Sequence, residues 1–238
     1  MSEDAPLPED TDLPSTPPHD LSTTLPDELT LLPLLNMVIY PLTVTPLAVG
    51  QEWAVRLIDE TIAAGGMLGM VALTGTRRPE RLTPQDFFHI GTAAAVHRMV
   101  RLHDNTLRVA VEGIARFEVV EVLQTEPRVV ARVRPLPDEA PNPREREEAR
   151  ALVATAEALA RRLPAQGATL LEELAAEADP ARLSYLAAAR LLPRSGLDER
   201  QQMLALTRTA ERLERMRRIL ERDLAALGPG EEGTGGQG

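Results

Sequence analysis

The side chains that most often carry catalysis are few in this 238-residue chain, and none has a spacing that a reaction requires. The four histidines are His19, His89, His97 and His103. They are widely separated and, because the chain has no cysteine, they lack the companions and intervals of a metal site. No serine lies in a Gly-x-Ser-x-Gly elbow. The sequence therefore predicts no catalytic residue, no metal and no cofactor.

Lysine is also missing, since all 26 basic residues are arginine. A phosphate-binding P-loop uses a lysine on its phosphates, and Schiff bases and Ser–Lys dyads use a lysine amine. The chain can hold none of these three devices. The glycine-rich run Gly65–Gly69 lacks the P-loop spacing and is predicted to cap a helix, while Glu172 and Glu173 are predicted to lie on a solvated helical face.

Aromatic side chains make up only 3% of the residues, so each one is conspicuous. The candidate peptide contacts are Tyr40, Trp53, Phe87 and Phe88. Large aromatic residues in an aliphatic chain are commonly part of the core, but they are also the residues that a hydrophobic peptide groove uses. The sequence leaves both interpretations open.

The net charge of −10 is concentrated at the two ends of the chain. Residues 1–30 contain eight acidic residues and no arginine, whereas the body from 31 to 227 is close to neutral. A neutral body lacks the basic field that holds a phosphate backbone. No apolar run approaches the roughly 18 residues of a membrane span, and no secretory signal precedes the body, so a soluble cytoplasmic protein is expected.

Composition divides the chain into five segments. They are a disordered acidic leader (1–30), a strand-rich subdomain (31–137), a Pro-rich linker (138–143), a helical bundle (144–227) and a flexible Gly-rich tail (228–238). The strand-rich segment alternates short apolar runs with turn residues and contains one helical stretch, Gln51–Ala64, which ends at Gly65. This pattern predicts a small, partly closed antiparallel β-barrel with one helix.

The helical segment carries apolar stripes at intervals of three and four residues. Asp179-Pro180 is a helix-start signal, and the last and longest helix is predicted from about Asp198 to Leu227. Its leucines recur every seven residues at Leu206, Leu213, Leu220 and Leu227. Two interpretations are open: the stripe packs inside its own bundle, or it is the seam of a coiled coil that makes a homodimer.

Four stretches of the strand-rich segment, in this order and spacing, resemble one known family. They are Leu32–Pro41, Pro46–Gly50, Ile90–Val96 and Val109–Phe117. Their Leu-Pro-Leu opening and Pro-Leu-x-Val-Gly signature are similar to the amino-terminal, substrate-binding domain of Lon proteases. Asp179–Leu183 and the Arg212–Arg215 helix resemble the helical half of that domain, so the resemblance covers roughly residues 31–227.

The resemblance implies an α+β fold in which a PUA-like antiparallel β-barrel with one helix precedes an all-α bundle ending in a long helix. In Lon, that helix leads into ATPase and peptidase modules, whereas here the sequence runs into Gly228-Pro229-Gly230 and stops. We therefore expect a non-catalytic relative that binds unfolded or exposed apolar protein segments, either as a stand-alone protein or as a piece of a larger one, with the former favoured. An adaptor role for an ATP-dependent protease would extend this function.

The alternative function is RNA binding, because PUA-like barrels of other families bind RNA. Arg98, Arg101 and Arg108 would form its basic strip across a hairpin. The acidic leader would repel phosphate, which makes nucleic acid the less favoured partner.

Overall fold

A computed structural model of the chain describes residues 25–76, 79–102, 106–193 and 195–227. Most of the predicted leader, the predicted tail, His19, His103 and the hairpin turn that was predicted at 103–106, apart from Thr106, lie outside these residues. The first subdomain consists of β1 (Glu28–Leu34), β2 (Val44–Val49), α1 (Glu52–Ala63), β3 (Leu68–Ala72), β4 (Ile90–Arg101), β5 (Leu107–Gln124) and β6 (Val129–Pro135). The second consists of α2 (Pro143–Arg162), α3 (Pro164–Ala176), α4 (Pro180–Leu191), α5 (Leu197–Ala205) and α6 (Thr209–Ala226).

The class is α+β, as the sequence predicts. The folded part begins earlier than the predicted boundary at residue 31, because β1 starts at Glu28 and Leu25 is already buried. Among the described residues, no helix combines the length and the hydropathy that crossing a bilayer requires.

The long strand β5 closes the barrel. It pairs with β4 from Leu107 to Glu118, and it also pairs first with β2 and then with β6. The sheet order is β2-β5-β4-β3-β1-β6. An additional pairing between β6, at one end of this order, and β5 closes the sheet into a barrel. The sequence predicts two strands here, Leu107–Val111 and Phe117–Leu123, but the structure has one strand of 18 residues.

The sheet is mixed rather than purely antiparallel. β1 runs parallel to β3, with Leu31 opposite Gly69, whereas every other named pairing is antiparallel. Register shifts interrupt the β4–β5 and β5–β6 pairings, and such bulges bend a strand strongly enough to curl a sheet. The predicted antiparallel barrel is thus corrected in one of its pairings.

Local signals set the ends of the helices where the sequence predicts them. Gly65 adopts φ 61° directly after α1, a conformation that glycine reaches without strain. Asp179 caps α4, its carboxylate accepting a hydrogen bond from the Ala181 amide at 3.0 Å, and Pro180 occupies the first turn.

The predicted last helix is two helices. α5 ends at Ala205 and α6 begins at Thr209, so the prediction of one helix over 198–227 is wrong. The central leucines of the seven-residue stripe, Leu213 and Leu220, are fully buried in the core of their own chain, whereas Leu227 is exposed. The stripe therefore packs inside its own bundle, and the interpretation of it as the coiled-coil seam of a homodimer is corrected.

Candidate recognition site

An apolar groove opens where the end of β1 meets β2 and the first turn of α1. Its volume is about 340 Å³. The side chains that line it include Leu32, Leu34, Leu35, Met37, Leu47, Val49 and Trp53. Every one of these side chains except Trp53 is aliphatic or a thioether, and Gln51 adds an amide at one end. A concave, mostly apolar cleft with few polar groups is the usual form of a ligand site.

Two large side chains of the groove, Leu35 and Trp53, stay partly exposed. Leu35 is 47% exposed, an unusual fraction for a leucine next to a buried strand. Trp53 is half-buried on the first turn of α1, and its indole Nε1 donates a hydrogen bond to Gln51 Oε1 at 2.5 Å. Trp53 thus lines the groove while it also packs against the edge of the barrel core.

The helical bundle fixes the turn that carries the groove wall. Asn36 has a positive φ of 53°, which asparagine tolerates, and this turn places Leu35 and Met37. Arg200 of α5 grips the turn with two donors, one to the Asn36 carbonyl at 3.0 Å and one to Asn36 Oδ1 at 2.6 Å. A residue 164 positions away in sequence therefore positions the groove.

The strand β2 borders the groove and forms one edge of the sheet. The Gly113 amide donates to the Thr43 carbonyl at 3.0 Å. In an antiparallel pair the backbone N–H and C=O groups of every second residue face the same neighbouring strand, so Thr43, Thr45 and Leu47 face β5. Pro46 therefore faces the open edge, where it offers no N–H for a further strand. A ligand would be held by side-chain contacts in the groove rather than by strand addition.

A buried polar cluster joins the barrel to the bundle. Arg116 of β5 and Arg212 of α6 have side chains that are 1% and 0% exposed. Both pair with the carboxylate of Asp138, at 2.5 and 2.6 Å. Arg116 also donates to the carbonyls of Leu204 and Leu206, and desolvation lowers the pKa of its guanidinium.

The two tyrosines of the chain lie at this junction. Their rings stack with centroids 6.3 Å apart, and the Arg212 guanidinium lies 4.2 Å from the centre of the Tyr185 ring. The Tyr40 hydroxyl donates to the Arg200 carbonyl at 3.0 Å. Burial raises the pKa of both phenols well above the ordinary value.

Close approach of two backbones completes the junction. The Leu42 amide donates to the Gly113 carbonyl at 2.8 Å, and Leu42 itself has φ 59°, a strained value for a leucine. A Cβ added to Gly113 would lie 2.2 Å from the Tyr40 carbonyl oxygen. Only glycine permits this contact without a shift of the backbone.

The four predicted aromatic contacts separate into three places. Tyr40 and Phe87 are each only 3% exposed, so they are core residues and the prediction that they contact a peptide is corrected. Trp53 lines the groove. Phe88 is half-buried in a separate crevice with His89 and Gln201. The rarity of these residues marked them as important without indicating their environment.

The predicted arginine strip is weaker than the sequence suggests. Arg101 forms an ion pair with Asp59 at 2.8 Å, which leaves Arg98 and Arg108. The residues that build the groove, notably Leu35 and Met37, are not among the contacts that the sequence predicts. The signal was present, since an apolar pair follows the Pro-interrupted strand at its end, but apolar residues alone do not indicate exposure.

Comparison with known proteins identifies the fold. Residues 28–222 match the family described as the ATP-dependent protease La (LON) substrate-binding domain. The chain belongs to this family. The matched LON domain contains the barrel, the groove, the polar junction and nearly all of the bundle.

Full-length relatives of this LON domain are known from several bacteria. Lon protease 1 of Herpetosiphon aurantiacus is 37% identical over 215 residues, which is 89% of this chain and 26% of the relative. A Lon protease of Dictyoglomus thermophilum is 32% identical over 205 residues, covering 85% of this chain and 25% of the relative. The chain thus spans about a quarter of the length of the curated relatives it matches.

Solved structures agree on the fold. The N-terminal domain of a Mycobacterium avium complex Lon protease superposes with a TM-score of 0.64 at 17% identity, covering 82% of this chain and 98% of that one. A Lon N-terminal domain protein from Xanthomonas campestris gives a TM-score of 0.54 at 20% identity, covering 79% and 96%. At these identities the likeness shows the fold alone.

Proposed function

We propose that the chain recognises proteins by binding unfolded or exposed apolar segments in the groove beside Trp53. The observation that carries the proposal is the groove itself: an apolar cleft whose walls include the half-exposed Leu35 and the only tryptophan of the chain. Membership of the LON substrate-binding domain family supports a role in recognition of protein substrates.

The groove suits segments of varied sequence because its lining is apolar. The hydrophobic effect is non-directional, so aliphatic side chains of many kinds gain similar free energy when Leu35 and Met37 cover them. A deep polar pocket would instead demand matched donors and acceptors. The blocked edge at Pro46 further favours side-chain contacts over backbone pairing.

The single tryptophan allows a direct test. Trp53 fluorescence would be recorded while a permanently unfolded protein, reduced and carboxymethylated α-lactalbumin, is added to the full chain. We expect a saturable change of the emission, because a bound segment removes water from the indole. Native α-lactalbumin serves as the ligand control and is expected to leave the emission unchanged.

Matched variants locate the binding. Leu35→Ser removes the most exposed large apolar side chain of the groove and is expected to weaken binding about tenfold, the effect of about 1.4 kcal/mol. Val120→Ser is the control, because Val120 is a similarly exposed apolar residue, at 57%, but does not line the groove. Equal affinities of both variants and the wild type would reject the groove as the binding site.

We also propose that the chain acts without catalysis and delivers bound clients to an ATP-dependent protease. The lack of lysine supports the first part, since neither a P-loop nor a Ser–Lys dyad can form. A reconstituted Lon protease degrading an unfolded client would test the second part. Faster degradation with the wild type than with the Leu35→Ser variant is expected, and an equal rate would reject the adaptor role.

A further inference from the structure

The outer face of strands β2, β5 and β4 is a second surface, which adjoins the groove at Leu47 and Ala48. It forms a shallow depression of about 360 Å³. The residues of the face that matter here are Pro46, Ala48, Arg98, Val100, Arg108 and Ala110. Val100 is 49% exposed, so this face combines uncovered apolar surface with two positive charges.

The charges of this outer face are not neutralised locally. Within the described residues, neither Arg98 nor Arg108 has an ion-pair partner, although the neighbouring Arg101 is paired with Asp59. No carboxylate from the part of the chain that the structure describes lines the depression. The nearest acidic residue to Arg108 along β5 is Glu112. Its Oε2 atom lies 3.9 Å from His97 Nδ1 instead.

Another pair of unpaired arginines provides a comparison. Arg146 and Arg150 lie exposed on α2 and line a different depression. That depression also contains Glu157 and Glu177, so its charges are balanced. An acidic ligand would therefore favour the outer face over the α2 surface.

The chain itself contains a ligand of the complementary chemistry. Residues 1–24 include six acidic residues and no basic one. Within them, the stretch Leu-Pro-Glu-Asp-Thr-Asp-Leu places three carboxylates between Leu7 and Leu13. The twelve residues from Leu13 to Leu25 can span about 40 Å when extended, which exceeds the diameter of a small domain.

We propose that the outer face binds residues 7–13 of its own chain. Arg98 lies opposite Ala110 and Val100 opposite Arg108, so the two arginines are diagonal neighbours with backbones roughly 7–8 Å apart. In an extended segment, Asp10 and Asp12 project from the same side at a spacing of about 6.6 Å. The spacing of the two carboxylates therefore matches that of the two arginines.

A spin label tests the contact in the full chain. Because the chain has no cysteine, Ser15→Cys gives one attachment site for a nitroxide two residues beyond Leu13. We expect the label to reduce the amide NMR intensities of Ala48, Val100 and Ala110. The loss should diminish at about 0.5 M NaCl, where the Debye length is roughly 4 Å.

Charge reversal at two pairs of arginines provides the decisive comparison. R98E/R108E is expected to restore the amide intensities, while R146E/R150E, the matched control, is expected to leave the loss unchanged. Both pairs are exposed, and an unaltered amide spectrum elsewhere will show that each variant is folded. Undiminished intensities on the outer face of the labelled wild type, or a loss on α2 that R146E/R150E removes, would overturn the proposal.

Nucleic acid is the competing occupant of the same arginines. A fluorescein-labelled oligouridine would be titrated into the wild type and into R98E/R108E. No saturable binding at low salt supports the acidic segment as occupant. Saturable binding that R98E/R108E abolishes, in a wild type whose labelled segment leaves the face unperturbed, would assign the face to RNA and overturn the proposal.

Discussion

Where the barrel meets the bundle, Asp138 accepts hydrogen bonds from two buried arginines, whereas the groove beside α1 is lined by apolar side chains that stay partly exposed. The junction relies on directional contacts between named atoms, each within hydrogen-bond distance. The groove offers only apolar contacts, which are non-directional. Both belong to one barrel, and Arg200 connects them by holding the Asn36 turn.

The difference shows how one domain combines a junction of fixed geometry with a groove that can accept many ligand arrangements. Hydrogen bonds to charged groups fix a single geometry, because removal of one partner leaves the other buried and unsatisfied. Apolar burial depends on area and accepts many arrangements. We infer that substitutions at the junction affect stability first, and substitutions at the groove affect binding first.

The largest effect is expected for Asp138→Ala. Both guanidinium groups would stay buried without their shared carboxylate, and breaking such a cluster costs about 3–5 kcal/mol in the free energy of unfolding. Urea denaturation followed by circular dichroism measures the change. Glu139→Ala is the control, because Glu139 pairs with Arg208 at the surface, and only a small loss is expected. Similar losses for the two variants would contradict the account of the junction.

A second comparison uses two glycines, Gly113 at the junction and Gly50 at the groove. Gly113→Ala puts a methyl group 2.2 Å from the Tyr40 carbonyl oxygen, and the forced backbone shift should cost about 1–3 kcal/mol. Gly50→Ala beside the groove meets its nearest atom at 3.9 Å, so the cost should be within about 0.5 kcal/mol. Thermal unfolding distinguishes them, and an equal loss would show that the junction is not closely packed.

Alkaline pH should destabilise the whole fold through the two phenols of the junction. The native state keeps Tyr40 and Tyr185 protonated because their pKa values are raised, whereas in the unfolded chain tyrosine ionises near pH 10. Stability is therefore full below about pH 10 and falls above it, by about 1.4 kcal/mol per pH unit for each tyrosine.

Tyrosinate absorbance measures this loss cleanly, since the chain has only these two tyrosines. We expect the absorbance to rise together with unfolding, as one cooperative step. A gradual rise near pH 10 in a chain that remains folded would contradict the burial of the two phenols.

The smallest effect is expected where the two places are connected. Arg200→Ala frees the turn that carries Leu35 and Met37, and renewed ordering on binding should cost about 0.5–1.5 kcal/mol, or roughly two- to tenfold in client affinity. Arg200→Lys should restore little of this affinity, because an ammonium cannot reproduce the two-pronged contact.

Arg190→Ala is the control for this variant. Arg190 makes a similar two-pronged contact with Glu173, but wholly within the bundle. Client affinity measured by Trp53 fluorescence should be unchanged in this variant. An equal loss of affinity for Arg190→Ala and Arg200→Ala would mean that Arg200 acts on the bundle and does not position the groove.

The sequence by itself determined the features that depend on near neighbours. The order of a strand-rich and a helical subdomain, the helix end at Gly65 and the helix start at Asp179-Pro180 all follow from local patterns. Residue types excluded whole classes of chemistry, because no fold can supply a lysine that the chain lacks. The ordered stretches of the first half were specific enough to indicate the LON family.

Only the tertiary structure decided where strands pair and where side chains are buried. No glycine or proline interrupts residues 197–227, yet the helix breaks after Ala205. The break persists because Arg116 takes the carbonyls of Leu204 and Leu206, which a continuous helix would use for its own amides. The partner lies about ninety positions away in sequence, and local periodicity contains no information about it.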